Sequence, residues 1–209
     1  MKTIFASLIT ATLLGAAPCI AADRSDPQAY MKENFWENLY KEGGATFYCE
    51  KPFTKKSILI DEAYIYSDSW IRDHLMCGTP RQCRQGSELY QQMITDMHNV
   101  YPSQSRFELK RKNAKFEELG AGIPEESCGE KRSFLIIDPP QRIKGDIARA
   151  LAYMHKKYNL PFVGVVEQFK RWNKLDPVSP EEADRNRRIK ELQGNDNPYI
   201  SDPNLMDSL

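Results

Sequence analysis

The chain has 209 residues, with 29 lysines and arginines against 29 aspartates and glutamates, and therefore no formal net charge at pH 7. This balance neither indicates nor excludes a polyanionic partner, and no apolar run after residue 22 is long enough to cross a bilayer. Residues 23–209 are enough for one hydrophobic core and too few to require two domains.

The N-terminus has the layout of a secretory signal peptide. Residues 1–22 carry one charged residue, Lys2, then an apolar run, and they end in small residues at Ala22. Cys19 follows a proline, which argues against a lipoprotein signal. We therefore expect an exported protein, periplasmic or extracellular, whose folded part is residues 23–209.

Short strands and longer helices alternate along this folded part. Strands are predicted in ATFYC (45–49), SILIDEAYIYSD (57–68) and SFLIID (133–138), and helices at 26–42, 85–101, 145–158, 163–174 and 180–193. Residues 102–132 lack a clear period and are expected to form a loop with short pieces of structure. The polar tail from about 195 is expected to be irregular and frayed at its end. The predicted class is α+β, a mostly helical single domain with a small antiparallel sheet.

Three of the predicted helices carry end signals or core residues. Asp146 is a candidate N-cap, and Gly194 follows the last turn of the helix at 180–193. Tyr153, Phe169 and Trp172 recur at helical spacing, which favours core packing over a base-stacking surface.

Four cysteines remain after the N-terminal segment. An even number in an oxidising compartment predicts two disulfides, for which three pairings exist. We expect Cys77 to pair with Cys83 and Cys49 with Cys128.

Asp73 and His74 place an acid beside one of the three histidines of the chain. The pair alone is a weak signal, but a cysteine-bounded loop follows it, and then a predicted helix that ends in His98 and Asn99. A strand-loop-helix unit with an acid-histidine pair at its start and an asparagine on its helix is the arrangement of a ββα-metal finger nuclease. We therefore expect an embedded ββα-metal finger.

The sequence resembles the endonuclease I family of secreted and periplasmic bacterial nucleases from about Thr46 to Ile200. The motifs that carry the resemblance are MHNVYPS at 97–103, KGDIARALAYM at 144–154 and QFKRWNKLDPVSPEEADRNRRIKELQGNDNPYI at 168–200. On its active-site strand the family usually has Trp-Glu-His, two apolar residues and a proline, whereas this chain has RDHLMC at 72–77. The segment between His74 and Asn99 is also shorter than in many members, and both departures bear on metal geometry rather than on fold.

The resemblance implies an active site. His74 would be the general base that activates water, and Asp73 and Asn99 would hold Mg²⁺, with Mn²⁺ or Ca²⁺ as alternatives and Zn²⁺ as an inhibitory occupant. A hard cation with oxygen ligands suits the charge that develops on a phosphate during hydrolysis. Arg81 would contact the scissile phosphate through its paired donors, and Arg84 is the alternative match.

The implied function is a metal-dependent, monomeric endonuclease that cuts DNA, and RNA too, through contacts with the phosphate backbone, leaving 5′-phosphate ends. Further candidates for nucleic-acid binding are Arg84, Arg106, Lys110, Arg111 and Lys112. One alternative is a nuclease-fold DNA-binding protein that has lost its chemistry. Another is a nuclease regulated by zinc or redox state through the cysteines. Each residue also has a structural alternative: His74 could be an ordinary surface histidine, and Asn99 a helix C-cap.

Overall fold

The structure is a computed structural model, and it describes residues 23–209. The predicted signal peptide lies outside these residues. The helices are α1 (Pro27–Tyr30), continued by a π-helix (Met31–Leu39), α2 (Asp68–Leu75), α3 (Pro80–Gly86), α4 (Glu88–Ile94), α5 (Ser105–Arg111), α6 (Lys144–Tyr158), α7 (Val166–Leu175), α8 (Pro180–Gln193) and α9 (Pro198–Ser201). Turns of 3₁₀-helix lie at Met97–Asn99, Gln141–Ile143 and Pro203–Ser208. The strands are β1 (Gly44–Ala45), β2 (Pro52–Phe53), β3 (Ile60–Tyr64), β4 (Val100–Gln104), β5 (Lys115–Phe116), β6 (Lys131–Ser133) and β7 (Ile136–Asp138).

The strands form three small sheets, so the predicted α+β class is confirmed. β1 pairs with β2 and β3 with β4, both antiparallel, and the third sheet has the order β5-β7-β6. In the β3–β4 pair, Ile60 lies opposite Gln104 and Tyr64 opposite Val100. Within the third sheet β7 is antiparallel to β6 and parallel to β5.

The main core is built around α6, which is buried along most of its length. Phe169 and Trp172 of α7 have no exposed surface, and Tyr153 of α6 is 3% exposed, as predicted for core aromatics. Burying side chains of this size stabilises a fold by about 1.5–3 kcal/mol each. A second cluster joins the π-helix to Ile189 of α8 and to Val100 of β4.

The chain between residues 80 and 104 differs from the single helix predicted at 85–101. Ser87 has an extended backbone, and its hydroxyl accepts from the amide of Tyr90, which ends α3 and starts α4. Asp96 then caps the 3₁₀ turn by accepting from the amide of His98. Both residues favour such caps because their side-chain oxygens compete for backbone amides. Residues Val100–Gln104 consequently leave the helix and become β4.

Residues 72–77 do not form the expected active-site strand. Ser67 caps α2 by accepting from the amide of Trp70, and Ile71 is fully buried on the core side of the helix. The apolar alternation that predicted a strand ends at Tyr66. Asp73 and His74 therefore lie in the last turn of a helix.

The predicted loop and tail both contain more structure than expected. Residues 102–132 include α5, whose residue Phe107 is buried. In the tail, Asn197 caps α9 by accepting from the amide of Tyr199, and Tyr199 and Met206 are buried. Asparagine followed by proline is a helix start signal, and a few buried apolar residues suffice to hold short turns on the core.

The first turn of α6 is capped by Asp176, which lies at the C-terminal end of α7. The expected N-cap, Asp146, lies inside the first turn, whereas the carboxylate of Asp176 accepts from the amide of Gly145 at 2.7 Å. A Cβ at position 145 would come within 2.0 Å of the Asp176 carbonyl, so glycine is required. Gly194 ends α8 with a φ of 89°, as predicted.

Both predicted disulfides are confirmed. Cys77–Cys83 closes the connection between α2 and α3, and Cys49–Cys128 joins the segment after β1 to the segment before β6. Zinc binding through these cysteines would therefore require reduction first, because a metal ligand must be a thiolate. Within residues 23–209 no helix is both long enough and apolar enough to span a membrane.

Candidate nucleic-acid site

β3, β4 and α5 form a ββα unit, in which the chain runs directly from β4 into α5. The guanidinium of Arg111 in α5 donates to the carbonyls of Tyr64, at 2.6 Å, and Ile65, at 3.2 Å. These bonds fix the helix against the end of β3. The helix of the unit is therefore α5, and not the segment ending at Asn99 that the sequence predicted.

A cleft of about 330 Å³ lies at this end of the unit. It is lined by Tyr64, Ser67, Asp68, Ser69, Arg72, Glu108, Arg111, Lys112 and Asn113. The Asp68 carboxylate accepts from the Tyr90 hydroxyl at 2.6 Å and from Nε of Arg72 at 2.9 Å. Oε2 of Glu108 accepts from Arg111 at 3.1 Å, whereas its Oε1 is buried without a hydrogen-bond partner.

Glu108 is a carboxylic acid of this cleft whose pKa is shifted from its ordinary value. Burial raises the pKa of its carboxyl group, and the charge of Arg111 opposes this rise only in part. A carboxyl group with a perturbed pKa inside a cleft is a candidate for a functional role.

The carboxylates that line this cleft are not open to a divalent cation. The part of the chain that the structure describes has no group of three or more His, Cys, Asp or Glu side chains placed to hold a metal ion. Both oxygens of Asp68 already accept hydrogen bonds, and the charge of Arg111 beside Glu108 would repel a cation.

The structure separates the residues predicted to form the site. Asp73 and His74 are exposed in α2. Successive helical residues turn by about 100°, so His74 points about 200° away from Arg72, which lines the cleft. Asn99 has no exposed surface, and its amide group accepts from the amide of Tyr66 at 2.6 Å and donates to the Tyr66 carbonyl at 3.0 Å. In this conformation Asn99 links the end of β3 to the 3₁₀ turn.

His74 is nevertheless the accessible imidazole of the chain. His98 is 1% exposed, its Nε2 bonds the carbonyl of Asn195 at 2.9 Å, and burial lowers its pKa to about 4. His155 is half-buried, and its Nδ1 contacts the Leu160 carbonyl. The ββα unit itself contains no histidine, since its elements read IDEAY, VYPSQ and SRFELKR.

The predicted phosphate-binding cations differ in accessibility. Arg106, Lys110 and Lys112 are exposed, although Lys110 pairs with Glu126 at 3.3 Å. Arg111 is 2% exposed and serves the ββα unit, so this conformation does not offer it to a phosphate.

The two arginines of α3 also differ in position. Arg81 is exposed, and Arg84 lies half-buried on the same helix. Of the two, only Arg84 lines the large groove beside the π-helix.

A groove of about 940 Å³, which the sequence did not predict, lies beside the π-helix. It is lined by Pro27, Gln28, Met31, Lys32, Trp36, Glu37, Tyr40, Lys41, Lys55, Lys56, Glu62, Tyr64, Arg84 and Ile94. Tyr64 lines both this groove and the cleft of the ββα unit. The lining comes from segments that are distant in the chain, and the helical spacing of the aromatic residues near the N-terminus indicates only a core.

The KGDIAR and QGNDNPYI motifs support the scaffold. Arg149 is fully buried and binds the Glu182 carboxylate at 2.8 and 2.5 Å. Asn197 donates to the Arg149 carbonyl at 3.1 Å. Burial and the nearby charge of Glu182 raise the pKa of Asp146 to about 8, against the opposing charge of Arg149.

Comparison with known proteins identifies the family. The Endonuclease I family profile matches residues 21–204. The chain is 32% identical over 127 residues to Endonuclease-1 of Buchnera aphidicola subsp. Acyrthosiphon pisum (strain APS), which covers 59% of this chain and 50% of the relative. It is 34% identical over 130 residues to an extracellular deoxyribonuclease of Aeromonas hydrophila, covering 59% and 56%.

A third relative is an extracellular ribonuclease of Bacillus amyloliquefaciens, 30% identical over 134 residues, which are 55% of this chain and 46% of the relative. The chain thus spans about half the length of the relatives it matches. The match to the family profile, in contrast, extends over nearly the whole described chain. The protein belongs to the endonuclease I family.

Proposed function

We propose that this protein is an exported endonuclease that hydrolyses phosphodiester bonds in DNA and RNA. The observation that carries the proposal is the family match over residues 21–204. Relatives named as deoxyribonuclease and as ribonuclease support activity on both DNA and RNA. Their extracellular or periplasmic names and the two disulfides of this chain support export.

His74 is the general base of this proposal, since it is the accessible imidazole. A neutral imidazole can take a proton from water near pH 7, and such a base contributes about a hundredfold to ten-thousandfold to the rate. The products would carry 5′-phosphate ends, as the family resemblance implies. No step is assigned to a metal ion, because Asp73 is exposed in α2 whereas the buried amide of Asn99 bonds the backbone of Tyr66.

A plasmid-nicking assay tests the proposal. The oxidised protein is incubated with supercoiled DNA in Mg²⁺, Mn²⁺ or Ca²⁺ and again in EDTA, and ligation of the products reports their 5′-phosphates. We expect nicking, and a loss of about a hundredfold or more in His74→Ala. Gln85→Ala, an exposed change on the neighbouring helix, is the matched control and should cleave normally. If His74→Ala cleaves within a few fold of the unmodified protein, His74 is not the base.

A second candidate function is nucleic-acid binding without hydrolysis. The absence of histidine from β3, β4 and α5 favours it, because the accessible imidazole then lies outside the ββα unit. The same assay separates the two functions. Retained binding without nicking under any of the metals would support the second and refute the first.

A further inference from the structure

We propose that the groove beside the π-helix binds a single, unpaired strand of nucleic acid. Lys41, Lys55 and Arg84 would contact phosphates, and the rings of Tyr40 and Tyr64 would stack on bases. This inference rests on the nucleic-acid function proposed above and adds to it the form of the ligand. It concerns binding, and therefore does not depend on cleavage.

The charges that line the groove are mostly positive. Its cations are Lys32, Lys41, Lys55, Lys56 and Arg84, and its carboxylates are Glu37 and Glu62. Lys32 pairs with Glu37 at 2.9 Å, and Lys56 lies 3.5 Å from Glu62. Within residues 23–209 the other three cations have no carboxylate at ion-pair distance. A protein without net charge thus gathers three uncompensated cations in one concave surface, which attracts a polyanion.

Aromatic residues line the groove together with these cations. Tyr40 and Tyr64 line the groove and are partly exposed as residues, although burial raises the pKa of the Tyr64 hydroxyl. Trp36 is buried, donates to Glu62 and is covered by Lys56 at 4.5 Å. In a duplex, neighbouring base pairs already cover the faces of each base. Rings recessed in a groove can therefore stack only on unpaired bases, and each stacked base contributes roughly five- to hundredfold to affinity.

Hydrogen bonds from other parts of the fold hold the groove wall in place. The amide of Tyr40 donates to the Phe35 carbonyl, five residues earlier, at 3.0 Å, which is the hydrogen bond of a π-helix. π-Helices are rare overall, but where they occur they are often at functional sites. From α8, Arg188 donates to the Leu39 carbonyl and Arg185 to the Tyr40 hydroxyl, the latter at 3.1 Å. A wall held in this way loses little conformational freedom when a strand binds.

The path of the strand follows from Tyr64. This residue ends β3 and lines both the groove and the ββα cleft. A strand that leaves the groove past Tyr64 would next meet Arg72 and Lys112 of the cleft. The groove thus leads an unpaired strand to the ββα unit.

Fluorescence anisotropy in EDTA tests the inference, with a labelled oligothymidine, a duplex of the same length and heparin as separate ligands. We expect the single strand to bind at least about tenfold more tightly than the duplex. The double variant Lys41→Glu/Lys55→Glu should weaken this binding at least about tenfold and lower the slope of log affinity against log salt by about 1.4. Lys156→Glu, an exposed change outside both cavities, is the matched control and should bind normally.

Other outcomes overturn the inference. Equal affinity for single strand and duplex would remove the role of the aromatic rings. Tighter binding of heparin than of the oligonucleotide would assign the groove to sulfated polysaccharides. An equal loss in Lys156→Glu would show that charge acts without regard to position. Thermal unfolding of each variant verifies that the fold is retained.

The Tyr40→Leu variant should weaken binding of the single strand without changing the slope of log affinity against log salt.

The two proposals fail separately. Tight binding of the single strand without plasmid nicking would refute the endonuclease function and retain the groove assignment. Nicking that the lysine variant leaves unchanged, together with no single-strand preference, would refute the groove assignment and retain the endonuclease.

Discussion

Asn99→Ala distinguishes a structural asparagine from a metal ligand. The Asn99 amide satisfies both the N–H and the carbonyl of Tyr66, at 2.6 and 3.0 Å, in a fully buried position. Alanine leaves one buried donor and one buried acceptor without partners, and each costs about 1–3 kcal/mol. We therefore expect a loss of about 2–6 kcal/mol from a total stability of about 5–15 kcal/mol.

Urea denaturation measures this loss directly. With a slope of about 2 kcal/mol per molar, the midpoint should fall by about 1–3 M. Asp73→Ala is the control: Asp73 is exposed, so its replacement should change stability by less than about 0.5 kcal/mol. An Asn99→Ala protein with an unchanged midpoint but without metal-dependent cleavage would refute the structural role and support ligation of an ion.

Two further predictions concern stability. Serine in place of Cys49 and Cys128, which are 79 residues apart, should cost about 4.5 kcal/mol, against about 2.4 kcal/mol for Cys77 and Cys83, only 6 apart. Equal losses of unfolding free energy in the two double-serine variants, measured by urea denaturation, would contradict this difference. Folding raises the pKa of Asp146 from 3.8 to about 8, so the folded state retains a proton that the unfolded chain releases, and stability falls as pH rises between these values. Asp146→Asn should therefore stabilise the protein by an amount that grows from pH 4 to pH 8 and is constant above; a pH-independent difference in urea midpoints would contradict the raised pKa.

Some parts of the fold were predictable because their signals are local. The helix predicted at 180–193 has these bounds in the structure, since Ser179 caps it, Pro180 begins it and Gly194 ends it. Each signal acts on backbone within one turn of itself. The buried faces of α6 and α7 could likewise be predicted from the spacing of their apolar residues.

The ββα unit was not predictable in its true position. Val100–Gln104 is a strand because it pairs with β3, and the intervening 35 residues give no local sign of that partner. The structure separates the predicted site residues for the same reason. Asp73 and His74 are adjacent in sequence, yet α2 turns them to solvent, while Asn99 turns inward to satisfy the backbone of Tyr66.

The α+β class, the long C-terminal helices, both disulfides and the family can be predicted from the amino-acid sequence, because these depend on short-range backbone preferences and on motifs in fixed order. The packing of distant segments fixes which helix completes the ββα unit and which side chains line its cleft. It also decided that lysines and tyrosines from distant segments share one groove. Buried backbone groups must find partners wherever the fold supplies them, and charge matters only where surfaces meet in space.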